Sequence, residues 1–549
     1  MYECPNCGGN LKFDIPSQQM ACSFCGTKKS PYEVKKETDA IEKDYFEATV
    51  FTCPQCSGEL LSADNEATSF CSFCGASTIL SSRISKEKRP QYIIPFKKTK
   101  EDCKAAYAKK MRKAFFVPDE LKDAKHIDGF RGIYMPYWTY QFTQNKNVDL
   151  KGEKSHREGD YIITDHYNIR GDLDAYYLGY ARDASSSFYD NISEMLAPYD
   201  AKELVNFEPS FLSGFYADTA DVGSDIYLPE TKALADDSSY DKICKNPVFM
   251  GYTMKNSENR NHLSARLGTV CRSVDSTMYP VWFLSYRNKD RVAYATVNGQ
   301  TGKVVADMPI DPKKYVLSSL ILAVILFTLL NLFFTFKPTT LLAIGSILVI
   351  VSAIIYAVEL NSIWRKETNA DDRGMQEAER KKTEEYRVEE WMAQAGDSGK
   401  KAGKVIRKQK ENKKEKKGFS DWLKKNWLSF IVIIFTFGPA LGVMVTEASF
   451  LAWLVIFGVT IACCVIGMKN NNKIEDMKKT PGFVLSMATV FLALIIKLVN
   501  PVSDLWYYAG TLILLVAVLF NMIDVIRNYN RLAMRRLPQF DKKGGDDLA

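Results

Sequence analysis

The sequence is poor in histidine, and its first residues do not form a leader. It holds 4 histidines in 549 residues, and none of them stands at a metal-ligand spacing from another. The opening MYECPNCGGN has neither a basic start nor an apolar core, so we expect no secretory signal. The 13 cysteines are then expected to be reduced or metal-bound. These features argue against a secreted disulfide scaffold.

Motifs of the common enzyme classes are also missing. Gly302-Lys303 and Gly399-Lys400 do not complete a phosphate-binding loop, which needs G-x-x-x-x-G-K followed by Ser or Thr. Ser185 lies in no G-x-S-x-G elbow. With no catalytic constellation between residues 91 and 310, we expect a protein that is not an enzyme.

Charge is absent from several long stretches. Residues 315–336 contain no charged side chain, and at about 1.5 Å per residue they reach about 33 Å, enough for a hydrocarbon core of about 30 Å. A four-residue break separates them from a second apolar stretch, so residues 315–360 are predicted to form a transmembrane helical hairpin. Residues 428–526 are predicted to hold four more spans, namely 428–445, 450–468, 483–499 and 505–526.

The connecting segments predict how these six spans are oriented. Lys and Arg gather before the first span, after the second, between the fourth and fifth, and after the sixth. Because basic residues concentrate on the cytoplasmic side, we predict a multi-pass cell-membrane protein with both termini cytoplasmic, including a tail at 527–549. Glu359, Lys497 and Asp524 stand near predicted span ends, where we expect their side chains to reach the interface.

Eight cysteines form a duplicated pattern in the first 74 residues. Two C-x-x-C pairs recur at an offset of 49, which predicts two zinc ribbons at residues 1–29 and 50–77, joined by a charged helical connector at 30–49. All ligands are thiolates and no position stays open for water, so two structural Zn²⁺ ions are predicted. The predicted ligands are Cys4, Cys7, Cys22 and Cys25 in the first ribbon and Cys53, Cys56, Cys71 and Cys74 in the second.

The charge of the ribbons bears on what they bind. The second ribbon has no Lys or Arg and carries Glu59, Asp64 and Glu66. Since nucleic-acid binding depends on clustered basic side chains, we expect protein partners and consider nucleic acid unlikely.

Residues 91–310 are predicted to form a cytosolic, aromatic-rich α+β domain. A helix is expected from Thr99, strands over 129–142 and 160–180, and a hairpin over 291–309. The fold class is therefore a multi-domain membrane protein with two four-cysteine ribbons, this domain and about six spans.

The segment between the second and third predicted spans, 361–427, is a charged cytosolic loop. Within it, residues 400–425 hold twelve Lys or Arg against three acidic residues, a net of +9. Such a segment can bind anionic lipid at about 1 kcal/mol per contacting residue, or stay solvated and only enforce topology. Both readings stay open, with RNA binding a poorer third.

Several of these features together resemble the YdjG-type membrane proteins with TFIIB-like zinc ribbons found in Gram-positive bacteria. They are the paired ribbons, QYIIPF at 91–96, IYMPYWTY at 133–140, and VNGQTGKVVADMP at 297–309 with a span directly after it. The resemblance covers roughly residues 1–360. It implies a non-enzymatic envelope component that works with a TPM-domain membrane protein and an SPFH, flotillin-like partner in recruiting PspA during membrane stress.

Two other functions stay open at this point. One is a membrane-tethered nucleic-acid-binding zinc-ribbon protein. The other is a transporter or channel regulated by the cytosolic head.

Overall fold

The structure is a computed structural model. It describes residues 2–34, 44–54, 59–62, 81–122, 130–249, 251–254, 263–288, 291–306, 308–333, 336–367, 372–374, 376, 377, 380, 450–471 and 481–533. The predicted third span, 428–445, the basic segment 400–425 and the tail after residue 533 lie outside these residues.

The strands lie in two sheets, both located before the first span. They are β1 (Tyr2–Glu3), β2 (Asn10–Asp14), β3 (Gln19–Cys22), β4 (Lys28–Lys29), β5 (Tyr45–Thr52), β6 (Glu59–Ser62), β7 (Ser81–Lys88), β8 (Tyr92–Ile93), β9 (Arg131–Glu158), β10 (Tyr161–Asp183), β11 (Val205–Asn206), β12 (Tyr216–Ala217), β13 (Thr253–Met254), β14 (Thr269–Asn288), β15 (Arg291–Asn298) and β16 (Val304–Ala306). Strands β1 to β4 form a small sheet in sequence order, and β5 to β16 form a large one.

The α-helices are α1 (Lys100–Lys113), α2 (Asp190–Leu196), α3 (Leu228–Cys244), α4 (Leu263–Leu267), α5 (Pro312–Phe333), α6 (Pro338–Glu367), α7 (Phe450–Asn471), α8 (Pro481–Val499) and α9 (Leu505–Ala533). Short 3₁₀ turns cover Asp119–Lys122, Ala201–Glu203, Pro209–Leu212 and Pro247–Phe249. The predicted start of α1 is confirmed: Thr99 caps it, and the Asp102 carboxylate accepts from the Thr99 N–H in return.

The large sheet is built around β9 and β14. Residues 131–144 of β9 pair antiparallel with residues 269–283 of β14, so that Met135 faces Tyr279 across the ladder. The predicted hairpin after residue 291 is confirmed as β15 and β16.

Aromatic rings fill the space beneath this sheet. Phe96 is fully buried, stacks on Phe215 at 4.5 Å between ring centroids, and meets Trp282 edge-on at 5.2 Å. A Cβ at Gly299 would come within 2.7 Å of the Phe96 ring, so only glycine fits at this turn. The aromatic-rich composition therefore reflects a packed core rather than a ligand platform.

The large sheet extends across the boundaries expected from the sequence. Strand β5 begins inside the expected helical connector 30–49, and β5, β6 and β7 join the sheet through β6 and β12. The strands that flank the second cysteine pattern are thus part of the same sheet as residues 91–310. We call everything described before residue 312 the head.

Among the described residues, the structure contains four helices that are long and apolar enough to cross a membrane: Pro312–Leu329, Pro338–Ile363, Pro481–Val499 and Leu505–Arg531. The predicted fourth span falls in α7, and the count of six is not confirmed. Helices α6 to α9 pack together around Leu342, Trp453, Val490 and Leu514. Helix α5 contributes no buried side chain in its span window, so the predicted hairpin is not a packed pair.

Candidate metal centre

The first cysteine pattern forms a compact cluster of four thiols. Cys4 and Cys7 flank the turn between β1 and β2, and Cys22 and Cys25 flank the turn between β3 and β4. All four Sγ atoms lie within 4.8 Å of one another, with Cys4 to Cys25 and Cys7 to Cys22 both at 3.5 Å. Tetrahedral zinc with Zn–S bonds of about 2.3 Å places its sulfurs about 3.8 Å apart, so the donor set fits the predicted ion.

The two turns that present these thiols have the same backbone geometry. The Gly8 N–H donates to the Cys4 carbonyl at 2.8 Å, and the Gly26 N–H donates to the Cys22 carbonyl at 2.9 Å. Both glycines have φ of +72°, a backbone conformation that residues with a side chain rarely adopt. The glycine directly after each C-x-x-C pair is therefore what closes the turn around the ligands.

Hydrogen bonds differentiate the thiols of this cluster. The hydroxyl of Thr27 lies 3.1 Å from the Cys25 sulfur, and with the Thr27 backbone it lowers the pKa of the Cys25 thiol to about 6. The Gly9 backbone lowers the pKa of Cys7, but the Cys25 and Cys22 thiols outweigh it and raise that pKa to about 12. Cys25 therefore offers a thiolate to a metal more readily than Cys7 does.

The four-cysteine cluster is joined to the core of the head. Tyr2, Leu11, Phe13 and Met20 of the small sheet belong to the same buried cluster as the head's aromatic residues. The Phe13 N–H donates to the Ser213 carbonyl at 3.1 Å, and the Phe13 ring lies 5.3 Å from that of Phe211. The first ribbon is thus a fixed part of the head.

The second predicted site is only partly within the described residues. Cys53 follows β5 and is fully buried beside Phe51 and Leu60. Cys56, Cys71 and Cys74 lie outside the described residues, so the second Zn²⁺ stays a prediction.

A buried group of carboxylates was missed from the sequence, because its members are far apart along the chain. Asp183, Asp190 and Asp372 are all buried, and neither carboxylate oxygen of Asp183 has a hydrogen-bond partner among the described residues. Burial, followed by the charges of Asp190 and Asp372, raises the pKa of Asp183 well above its ordinary value.

The same group ties the segment after α6 to the head. The Arg373 N–H donates to Asp190 Oδ2 at 2.8 Å, and the Arg373 guanidinium lies 2.5 Å from Glu230 Oε2. Tyr227 donates its hydroxyl proton to Asp190 Oδ1 at 2.7 Å. The chain that leaves the second candidate span is therefore held against α2 and α3.

A second polar group lies inside the helical bundle. Tyr356 donates to Asp524 Oδ2 at 2.6 Å, and the Asn521 amide donates to Ser352 and Ser486 at 3.0 Å each. The expectation that Asp524 reaches the interface is wrong, because α9 continues to Ala533 and Asp524 is buried against α6. These bonds connect α6, α8 and α9.

The longest strands of the head project from it as an arm. Strand β14 covers β9 only as far as Gln144, and β9 then continues with β10 to the turn at Gly159, about 45 Å further on. Helix α4 packs on the base of this arm, but residues 154–164 are exposed on both faces. At the tip, Tyr161 is 78% and Ile162 76% exposed.

Together these features define a protein with a β-rich head, an N-terminal cluster of four cysteines that could hold a metal ion, and apolar helices compatible with a membrane. The chain is 35% identical over 317 residues to the uncharacterized protein YdjG of Bacillus subtilis (strain 168), an alignment that covers 57% of this chain and 91% of that relative. The chain therefore belongs to the family of YdjG. No protein-family model matches the chain, and no solved structure matches it either.

Proposed function

We propose that this protein is a non-enzymatic, polytopic membrane scaffold whose cytosolic head binds protein partners. The proposal includes six spans, both termini in the cytoplasm and one structural Zn²⁺ in each ribbon. The observation that carries it is the arm formed by β9 and β10, which extends from the head and exposes large apolar side chains at its tip.

Exposing large apolar side chains to water is unfavourable in free energy when no partner covers them. A two-stranded ribbon is marginally stable alone, and beyond Glu153, where β13 pairs with β9, no third strand among the described residues pairs with the arm, which leaves an edge that another strand can bind. Tyr161 and Ile162 have side chains of the kind found at the centres of protein interfaces. The arm thus extends far from the head, offers a strand edge for pairing, and carries large apolar side chains at its tip.

The metal cluster supports a structural role for the ion. All four donors are thiols, and the small sheet that holds them shares its core with the head. A closed thiolate site offers no position for substrate or water, so the ion stabilises the fold instead of supplying chemistry.

The family resemblance supplies candidate partners. It implies TPM-domain and SPFH-type membrane proteins, with PspA recruited in an envelope-stress response. These identities are part of the proposal, as is contact with membrane lipid.

Affinity purification of the intact protein from its own membranes, followed by mass spectrometry, tests the proposal. A variant with Tyr161→Ser and Ile162→Ser removes the apolar tip without touching the core, and Val248→Ser, at a residue that is 77% exposed, is the matched control. We expect partners to be retained by the control and lost from the tip variant. A partner set that is unchanged in the tip variant, or is released by nuclease, would refute protein binding by the arm.

A second candidate function is transport through the helical bundle, regulated by the head. The observation that favours it is Asp524, an ionisable residue buried between helices and bonded to Tyr356. Ion flux into proteoliposomes that is abolished by Asp524→Asn would support this function, and the absence of any flux in the unmodified protein would exclude it.

A further inference from the structure

The loop after α1, residues 114–118, is attached to the beginning of the first candidate span. The Asp311 N–H donates to the Phe116 carbonyl at 2.7 Å, and Lys314 Nζ lies 3.2 Å from the Val117 carbonyl. The rings of Phe116 and Tyr315 are 5.6 Å apart. Since α5 begins at Pro312, these contacts fix the loop at the level where the chain enters a bilayer.

The loop places its large aromatic side chains outside the core. Val117 is buried with Met111 and Leu121, whereas Phe115 is 65% and Phe116 37% exposed. The two phenylalanine rings contact each other edge-on at 5.3 Å. Exposed phenylalanine rings flanked by basic residues can bury in the boundary between lipid headgroups and acyl chains, so this exposed pair at the start of a span is a candidate membrane-contact surface.

The surface around these rings is basic. Arg112 and Lys113 end α1 and are exposed, and Lys313 is exposed at the start of α5. Two acidic residues lie among them: Asp119 is paired with Lys314 at 2.6 Å, and Asp311 Oδ1 accepts from the Lys313 N–H at 2.9 Å. Arg112, Lys113, Lys313 and Lys314 outnumber these two carboxylates, so the surface keeps a net positive charge that complements an anionic lipid surface.

We propose that Phe115 and Phe116, with Arg112, Lys113 and Lys313, form a lipid-binding surface that holds the head against an anionic bilayer. The two rings insert at headgroup depth, and the cations bind lipid phosphates around them. This surface differs from the basic segment 400–425. The inference rests on membrane insertion of α5, which is part of the proposed function.

The test uses the full-length protein in nanodiscs that contain equal amounts of phosphatidylglycerol and phosphatidylcholine. The photoreactive residue p-benzoylphenylalanine replaces one phenylalanine at a time, and adducts are identified by mass spectrometry. Position 115 is the probe, Phe327 on α5 is the control for membrane insertion at 68% exposure, and Phe24 on the metal ribbon is the control for aqueous exposure at 81%.

We expect phospholipid adducts at positions 115 and 327 and none at position 24, because only the first two positions would contact lipid. Replacing Arg112 and Lys113 by Gln should shift the equilibrium between lipid-bound and free loop roughly thirtyfold towards the free loop. The yield of lipid adducts should then fall at position 115 but not at position 327. A lipid adduct at 327 without one at 115, or a protein adduct at 115, would overturn the inference. No lipid adduct at 327 would instead refute membrane insertion of α5.

Discussion

Detaching the first ribbon from the head should destabilise both. The perturbation is Phe13→Ala, at a residue that is 5% exposed and lies with its ring centroid 5.3 Å from that of Phe211 and 6.4 Å from that of Phe215. The substitution removes the phenyl ring at the point where the small sheet meets the head, while leaving all four metal ligands unchanged.

The size of the effect follows from this burial. Replacing a buried phenylalanine by alanine lowers the free energy of unfolding by about 3–5 kcal/mol. A loss near 3 kcal/mol is expected here, because the small sheet and the head can move together and partly fill the cavity that the ring leaves. If docking keeps the ribbon folded before metal binds, a loss of about 3 kcal/mol corresponds to roughly a hundredfold loss in apparent metal affinity.

Zinc competition with a chromophoric chelator, together with thermal unfolding of the full-length protein in detergent, measures both quantities. Phe24→Ala is the control, because that ring is 81% exposed on the same ribbon and its loss should cost less than about 0.5 kcal/mol. Equal behaviour of the two variants in both assays would show that the ribbon is an independent module and refute the reasoning.

Three further predictions concern charge and metal. Because the pKa of Asp183 is raised in the folded state, its neutral carboxyl contributes stability at low pH, and this contribution is lost as pH rises from about 4 towards the raised pKa. Asp183→Asn should therefore flatten the pH dependence of the thermal unfolding midpoint and raise the midpoint at neutral pH. A pH profile identical to that of the unmodified protein would contradict this prediction. Removal of the metal by chelator should lower the unfolding temperature of the head, and the shift should be smaller in Cys22→Ser, which lacks the first site, as calorimetry can show. Tyr356→Phe should cost about 1–3 kcal/mol by leaving the buried Asp524 carboxylate short of a donor, whereas Tyr508→Phe, at an exposed position on α9, should cost nothing measurable in the same unfolding assay.

The parts of the fold that depend on local pattern could be predicted from the sequence. The spacing of Cys4, Cys7, Cys22 and Cys25 predicted one cluster, and these four thiols do come together. Thr99 marked the start of α1, and uncharged stretches marked the four candidate spans. Each of these signals lies within a short window, where capping, turn chemistry and hydropathy act directly.

The parts that depend on contacts between distant residues could not be predicted. Strand β9 was expected to end near residue 142 but continues to Glu158, and its last residues, 154–158, are exposed on both faces and so carry no apolar alternation. Asp183, Asp190 and Asp372 meet only after the sheet and the segment that follows α6 are in place. The burial of Asp524 depended on its contact with Tyr356 of α6, which lies far from it along the chain.

The most direct test of the scaffold proposal is photo-crosslinking in living cells from the tip of the arm. p-Benzoylphenylalanine replaces Ile162, which is 76% exposed, and the crosslinked species are separated and identified by mass spectrometry. The proposal predicts a discrete adduct with another protein, stronger under membrane stress and missing when the same probe stands at exposed Val248. Adducts with lipid alone, or none at position 162 while the protein is present in the membrane, would contradict it.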